Sequence, residues 1–306
     1  MKQITIISND ETREIYMYDM KGNQTERWFF KPVEVLDHRY KAVYNEKGQL
    51  LEETKFNKGI APVVKYIYAY NEKGLPIGRS LFSENNTLLE KHIYQYDTAE
   101  RMTDSIQLDT YGNVIMKCNW QYDPGGRRIK TSLYWNDTLV HTKMFEYNKE
   151  GKMIRETKNP TFGNDPDLII YSYDEKGNRT MVDKRFTDSR ANNKELSDYD
   201  SSGNLISYTY LPQDEKNNVK IVRVFDDRKK VIGQTRYHAG IIYNRYSYKY
   251  DDKGNELEMD VYNESEKVPY HITWKYEFDR NGNWIRRTRF GNGVPDDNVK
   301  REIEYY

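Results

Sequence analysis

Apolar and polar residues alternate at period two in short stretches along the whole chain, as in "HIYQYD", "IIYSYD", "YSYKYD" and "TWKYEFD". Such alternation predicts half-buried β-strands, and no stretch carries the 3.6-residue period of an amphipathic helix. Each of these strands runs into a turn and then into a second strand that ends near an aromatic, as in "QLLEETKF" and "NWIRRTRF". The aromatic before the turn recurs at Tyr18, Tyr44, Tyr70, Tyr96, Tyr122, Tyr147, Tyr173, Tyr199, Phe225, Tyr250 and Phe278, at spacings of 25 to 28 and mostly 26 residues. A fixed period over the full length predicts a repeat architecture in place of separate globular domains.

The turn has its own chemistry. Asp or Asn follows the aromatic, and Gly stands four residues after it at Gly22, Gly48, Gly74, Gly126, Gly151, Gly177, Gly203, Gly254 and Gly282. Asx accepts hydrogen bonds from its own turn, two permissive residues make a type I bend, and Gly takes the φ > 0 position of a G1 bulge. A mostly aliphatic or Thr position follows seven residues after the aromatic (Thr25, Leu51, Ile77, Ile154), and Phe30, Phe56, Phe82, Leu108 and Tyr134 close the second strand. Polar connections of varying length, such as 57–59, 83–86, 159–167 and 291–298, lead to the next unit, because loops tolerate insertion where tight turns do not.

The predicted fold is all-β: a repeat β-meander of about eleven 26-residue strand–turn–strand units forming a long, coiled or curled antiparallel sheet. It makes one repeat domain over 1–306, with units starting near 16, 42, 68, 94, 120, 145, 171, 197, 223, 248 and 276. Laid flat, its strands would extend on the order of 100 Å, and open sheets of more than about 10 strands curl or split. Gly177, in a turn, is expected to resist Val, whereas Gly78, in a strand, is expected to tolerate Ala better.

Composition then narrows the class. Hydrophobic residues make up only 37% and mean hydropathy is −1.00, but 28 Tyr, 10 Phe and 5 Trp are far too many rings for a disordered chain. Lys plus Arg equals Asp plus Glu at 48 each, so no basic field implies nucleic acid as a partner. No apolar run approaches the roughly 20 residues of a membrane-spanning helix. The apolar start of "MKQITIISNDET" is too short for a secretory signal, which leaves a cytoplasmic protein or one whose leader has been removed.

The unit Y-x-Y-[D/N]-x-x-G-[N/R/K] resembles the YD repeat of the Rhs family; "WQYDPGGRRI", "YSYDEKGNRT" and "YKYDDKGNEL" carry the likeness, which covers Tyr16 to Phe290. The resemblance implies a surface or secreted protein, either an adhesive module or part of a toxin-enclosing shell. Asn replaces the family's Arg at Asn23, Asn178, Asn204, Asn255 and Asn283. The D-P-x-G element of self-cleaving members is matched once, at Asp123–Gly126, inside an ordinary repeat turn and without a second copy close by.

Catalytic and metal signals are weak. His38, His92, His141, His238 and His271 lie in different units without metal-ligand spacing, the lone Cys118 reads as a strand thiol, and 250–260 is acidic but lacks the ligand pattern of a calcium loop. The basic runs 126–130 and 283–290 are balanced by acids elsewhere. No cofactor is expected. The reading is a noncatalytic scaffold or binding module at the bacterial surface or in the periplasm, with an extended carbohydrate or a surface protein as partner, and neither nucleic acid nor a membrane span. The alternatives are a glycan-binding protein using exposed aromatics, with Trp135 and Trp284 as stacking platforms, and an enzyme whose carboxylates meet only in space.

Overall fold

The computed structural model describes residues 2–8, 10–58, 62–159, 166–214, 216–264 and 268–306. Eleven hairpins follow a short first strand, β1 (Gln3–Ile7). They are β2–β3 (Arg13–Tyr18, Gln24–Lys31), β4–β5 (Val35–Tyr44, Leu50–Asn57), β6–β7 (Pro62–Tyr70, Pro76–Ser83) and β8–β9 (Leu88–Tyr96, Met102–Leu108). Then come β10–β11 (Val114–Tyr122, Arg128–Trp135), β12–β13 (Thr138–Tyr147, Met153–Asn159), β14–β15 (Leu168–Tyr173, Arg179–Arg185) and β16–β17 (Asn193–Tyr199, Leu205–Pro212). The last are β18–β19 (Val219–Phe225, Val231–His238), β20–β21 (Ile241–Tyr250, Glu256–Asn263) and β22–β23 (Tyr270–Phe278, Trp284–Gly291), before a final strand, β24 (Val294–Glu304). The connections at 57–59 and 159–167 fall in part outside the described residues.

Each strand pairs antiparallel with its neighbours in sequence, and β24 pairs with β1 from Gln3↔Glu304 to Ile7↔Lys300. The meander is therefore a closed ring, and the predicted curl is completed as a barrel. The eleven-unit count leaves out a twelfth hairpin, split between the two ends of the chain, whose missing turn is where the termini lie. There Lys2 N donates to Glu304 O and Tyr18 N to Lys2 O, at 2.8 and 2.9 Å, and the Tyr306 hydroxyl reaches Tyr18 O. Closure gives every strand among the described residues a partner on both sides. At about 4.8 Å per strand the wall measures on the order of 115 Å around.

Register fixes which side chains share a face. Following the pairs around the ring, the Y-x-Y tyrosines fall on one face together with Arg79, Glu90, His92 and Phe145; Tyr68 opposes Arg79, which opposes His92. Positions on this face are mostly half-buried, whereas Lys41, Lys91, Lys249 and Lys300 on the other face are exposed. Charges stand mid-strand on both faces: Glu53, Lys55 and Glu156 on the tyrosine face, Lys65, Lys91 and Lys249 on the other.

The wall encloses little hydrophobic core. Among the described residues only Phe145, Val182 and Ile272 are buried apolar side chains, and no large side chain is fully buried. The accessible surface is 19254 Å², against about 13,500 Å² for a compact protein of this mass. Cohesion therefore comes from the hydrogen-bond ladder and from cross-strand pairs, such as Arg27 over Tyr40 and Arg39 between Trp28 and Phe56.

The turn glycines behave as their sequence implies: Gly177 has φ +86°. Glu100 and Lys229 hold the same left-handed position where Gly is missing, at φ 64° and 63°. Gly78 is crowded too, because an added Cβ would stand 2.9 Å from the backbone carbonyl of His92 on β8.

Candidate functional site

The eleven repeat turns, nine of them D/N-x-x-G and two with Glu100 or Lys229 in place of the glycine, lie on one rim, called here the turn rim. In the first, Gly22 N donates to Asp19 O and Asp19 N to Asn23 O, while Asp19 Oδ1 accepts from the N–H groups of Lys21 and Asn23 at 2.9 Å each. Oδ2 of Asp19 then accepts from Asn23 Nδ2 at 2.8 Å. Asn178, Asn204 and Asn255 repeat this clamp on Asp174, Asp200 and Asp251. Arg101 and Arg127 perform it with guanidinium on Asp97 and Asp123, at 2.7 and 2.6 Å. The Asn and Arg variants of the repeat are thus two ways of binding the same carboxylate oxygen. These bonds hold the Asp19 and Asp174 carboxyls below their ordinary range chiefly through the Asn amide, and Asp123 chiefly through the Arg127 backbone N–H.

Adjacent hairpins splay at this rim, and in eight units the tyrosine before the turn bridges the gap. Tyr44, Tyr70, Tyr96, Tyr122 and Tyr173 donate their hydroxyls to the carbonyls of Gln24, Leu50, Pro76, Met102 and Met153, at 2.7 to 3.0 Å. Beside each bridge is a notch between one unit and the next. Where the residue after the left-handed turn position is basic, it lies over the next tyrosine: Arg101 on Tyr122 at 4.9 Å, Arg127 on Tyr147 at 5.3 Å, Lys152 on Tyr173 at 5.3 Å and Lys230 on Tyr250 at 5.6 Å. Where that residue is Asn23 or Gln49, no described cation covers Tyr44 or Tyr70, and Gln49 Nε2 donates instead to Gly74 O at 2.9 Å. Cavities open beside these notches with or without a cation over the ring: about 580 Å³ at Tyr44, 420 Å³ at Tyr70 and 510 Å³ at Tyr173 beside Lys152.

Polar clusters elsewhere lack catalytic order. Asp260 lies between Ser247, whose Oγ donates to it at 3.1 Å, and His271, whose Nδ1 is 2.6 Å away. A hydrolytic triad needs the histidine between serine and carboxylate. On the tyrosine face Glu90 receives Arg79 at 3.1 Å and Gln107 at 2.8 Å and also meets His92. Burial pushes the Glu90 carboxyl up, but His92 and Arg79 more than offset it and hold it below its ordinary value. This is a saturated ion cluster with no neighbouring nucleophile. No group of three metal-binding side chains occurs among the described residues.

Trp135 stands at the tip of the β11–β12 hairpin and is 56% exposed. Trp284 begins β23 with the Arg301 guanidinium 4.3 Å over its ring. The two occupy opposite rims, twelve strands apart in a ring of twenty-four, and are not brought together. Asp123–Gly126 is a turn like its neighbours, and 250–260 holds the Asp251 turn and half of β21. Sequence reasoning missed the notches and the side chain that reaches across each, although the residue after the turn glycine was the available signal.

Comparison with known proteins adds a fold likeness. A family described only as "Uncharacterised protein" matches residues 70–195, and no curated protein matches the chain. The chain is similar to a chain of the Tc holotoxin pore of Photorhabdus luminescens, with 12% identity, a TM-score of 0.54, 94% of this chain covered and 16% of that one. A TcdB2-TccC3-TEV structure follows at 13% identity, a TM-score of 0.49 and coverage of 92% and 18%. A porin-like protein from Bacteroides uniformis has 10% identity, a TM-score of 0.23 and coverage of 99% and 97%. Of these three only the first scores above 0.5, and at its low identity it speaks for the fold alone. The chain spans less than a fifth of the toxin chains it matches.

Proposed function

We propose that the chain is a YD-type repeat scaffold without catalytic activity, working outside the bacterial cytoplasm and holding a protein partner on its wall. The observation that carries this reading is the closed ring itself: the repeated Asp, Gly and Tyr residues build turns and bridge hairpins, and no assembled nucleophile, base and oxyanion site stands beside them among the described residues. The fold likeness to the holotoxin chain supports a scaffold, and the multi-component names of the neighbours support a protein partner. Turnover should be absent from a screen of glycosidase, peptidase and esterase substrates; activity abolished by Glu90→Gln would overturn the reading. Fractionation of the native cell should recover the chain at the surface or in the periplasm, and recovery from the cytosol would remove the location.

The exposed ring of Trp135 favours a second reading, glycan stacking at the β11–β12 tip. Calorimetry with an oligosaccharide series tests it: binding weakened by Trp135→Ala supports it, and equal binding by the variant rejects it. Trp284 is a poorer platform, since Arg301 already occupies its face.

A further inference from the structure

We propose that the face opposite the tyrosines binds a linear acidic polysaccharide along β16–β21, with Lys194, Lys220 and Arg245 holding the carboxylates of successive disaccharides. The proposal goes beyond the scaffold reading and does not depend on it.

The chain as a whole is neutral, but its charge is not evenly laid out. Eight of the eleven units have Lys or Arg five residues before the turn aromatic: Arg13, Arg39, Lys65, Lys91 and Lys117 in the first five, then Lys194, Lys220 and Arg245. Thr142, Leu168 and Thr273 are the exceptions, and Lys300 holds the equivalent place in the split hairpin. The next position on this face, two residues later, keeps no such character: it is Ile15, Lys41, Ile67, Ile93 and Asn119 in the first five units. Across the hairpin each of the eight opposes an aromatic ring or a leucine, as in Lys65↔Phe82, Lys117↔Tyr134, Lys220↔Tyr237 and Arg245↔Tyr262. The repeat therefore sets a cation beside an apolar platform in unit after unit. Arg13, Arg39 and Lys65 lie over their own rings, Phe30, Phe56 and Phe82, at 4.5, 4.4 and 5.8 Å, and cohesion of the wall accounts for them.

Cohesion does not account for the arc from β16 to β21. The strands β17, β18, β19 and β20 contain no Asp or Glu, but five Lys and Arg. Like charges on neighbouring strands repel, so such an arc favours an anion. Lys249 is answered by Glu258 of β21 at 2.5 Å, and Arg245 by Glu264 at 3.5 Å. Lys194 and Lys220 are exposed and make no ion pair with any described residue. Tyr262, opposite Arg245, is 43% exposed. At the Lys194 end a cavity of about 440 Å³ opens between Arg185, Lys194, Asn192 and Leu211, and its one acid, Asp183, accepts from Arg185 at 3.1 Å.

Spacing and surface select the class of anion. Lys194, Lys220 and Arg245 stand on alternate strands, roughly 10 Å apart, which is close to the length of a disaccharide. The rings beside them offer a surface on which sugar C–H faces can lie. An acidic peptide would gain most by adding a strand to a sheet edge, and a closed ring offers none. A nucleic acid strand carries a phosphate about every 3.4 Å, so only about one in three would meet a cation of the row.

The test uses the full chain and hyaluronan oligosaccharides, which carry one glucuronate per disaccharide, read by calorimetry at low salt. Affinity should climb from one to three disaccharides, because linked contacts gain through effective concentration, and should fall as salt is added. Lys220→Gln with Arg245→Gln should weaken the binding of three disaccharides by roughly tenfold or more. Arg223→Gln with Arg236→Gln, which removes the same charge from the tyrosine face of β18 and β19, should leave it unchanged. Thr273→Lys fills the gap between Arg245 and Lys300 and should raise the affinity for longer oligosaccharides. Urea unfolding of each variant separates lost binding from lost folding. Equal weakening by the two Gln pairs, equal binding of a neutral chitin oligosaccharide of the same length, or no saturable binding of hyaluronan would each overturn the proposal. Polyglutamate or single-stranded DNA binding through Lys220 and Arg245 while hyaluronan does not would overturn it in favour of an acidic protein or a nucleic acid. Any of these failures leaves the scaffold reading standing, because that reading is tested by turnover and location.

Discussion

The two rims of the barrel solve the same problem with different degrees of freedom. On the turn rim eleven reversals share one geometry, because Asx side-chain bonds and one left-handed residue specify it. On the opposite rim the chain reverses through Pro32–Glu34, through a second D-x-x-G-N turn at 109–113, and through two-residue turns at Asn136-Asp137, Ala239-Gly240 and Asn292-Gly293. What recurs there is a bulge just below the tip, between Phe29/Phe30, Lys55/Phe56, Leu81/Phe82 and Leu133/Tyr134. Register is thus held in the strands, which leaves the tips free to vary. Those tips expose apolar side chains, Val33, Tyr111, Trp135 and Ile241 among them, while the turn rim keeps both chain ends and the bridging tyrosines.

The most severe way to break this arrangement is to open the ring on the turn rim's one discontinuous hairpin. Deleting 294–306 removes β24 and leaves β1 and β23 as unpaired edges. The truncated chain is expected to lose monomeric behaviour in light scattering and to unfold without a sharp transition. A monomer with unchanged melting would mean that closure contributes nothing.

Substitution of left-handed glycines compares the rims directly. Gly177→Val must adopt φ near +86° and also displace Lys152 from the notch over Tyr173, so a loss of roughly 2–3 kcal/mol is expected in urea unfolding. Gly112→Val, on the opposite rim, meets the same backbone strain at φ +87° but no neighbouring atom within 4 Å, and should cost only about 1–2 kcal/mol. A larger loss at Gly112 would invert the proposed difference between the rims.

The hairpin unit was legible because its turn demands particular residues at particular positions, and the period simply counts them. Closure was not: Gln3–Ile7 and Val294–Glu304 are joined by no turn, so no local chemistry announces their pairing. The crowding at Gly78 was hidden for a similar reason, since the carbonyl of His92 belongs to the neighbouring hairpin. The Asn and Arg alternatives could be seen as a departure in the motif, but their effect on the next tyrosine emerges only when the units are placed side by side. Trp135 and Trp284, chosen as exposed aromatics, shared no signal that could have said they lie on opposite rims.

Acid should weaken both rims, the turn rim more. The Asp19, Asp97, Asp123, Asp174, Asp200 and Asp251 carboxyls of the turn rim are held below their ordinary value by the bonds of their turns, and Asp279 chiefly by the Tyr305 hydroxyl; on the opposite rim Asp10, Asp37, Asp109 and Asp188 are lowered by side-chain bonds from Thr12, Lys31, Asn113 and Arg190. A depressed folded pKa contributes stability that is present above the ordinary Asp range and lost as pH falls through the depressed values. Glu256 has the opposite sign: burial raises it, so its contribution is present at low pH and lost as pH rises through its folded value. Unfolding midpoints should therefore fall below about pH 4. Glu256→Gln should remove only a small loss at the upper end of the acid range. A protein equally stable at pH 2 and pH 6 would show that the Asx bonds do not support the fold.

The smallest effects come from the bridging hydroxyls, where the molecule contains its own control. Tyr70→Phe removes the donor to Leu50 O while keeping the ring, and a half-exposed neutral bond of this kind is worth about 0.5–1.5 kcal/mol. Two units already lack the hydroxyl, because Phe225 and Phe278 stand where the others have tyrosine. By the spacing of the Tyr70 bridge, which reaches back twenty residues, a hydroxyl added at Phe225 would meet the carbonyl of Leu205. Phe225→Tyr is therefore expected to stabilise by a few tenths to about 1 kcal/mol, the mirror image of Tyr70→Phe. If both substitutions are neutral in urea unfolding, the hydroxyl only exchanges one partner for water and the seam is held by the rings. If Tyr70→Phe destabilises while Phe225→Tyr does nothing, the β16–β19 seam differs in width from the β4–β7 seam. A symmetric loss and gain would show that the bridge is a modular part of the repeat, transferable between units along the turn rim.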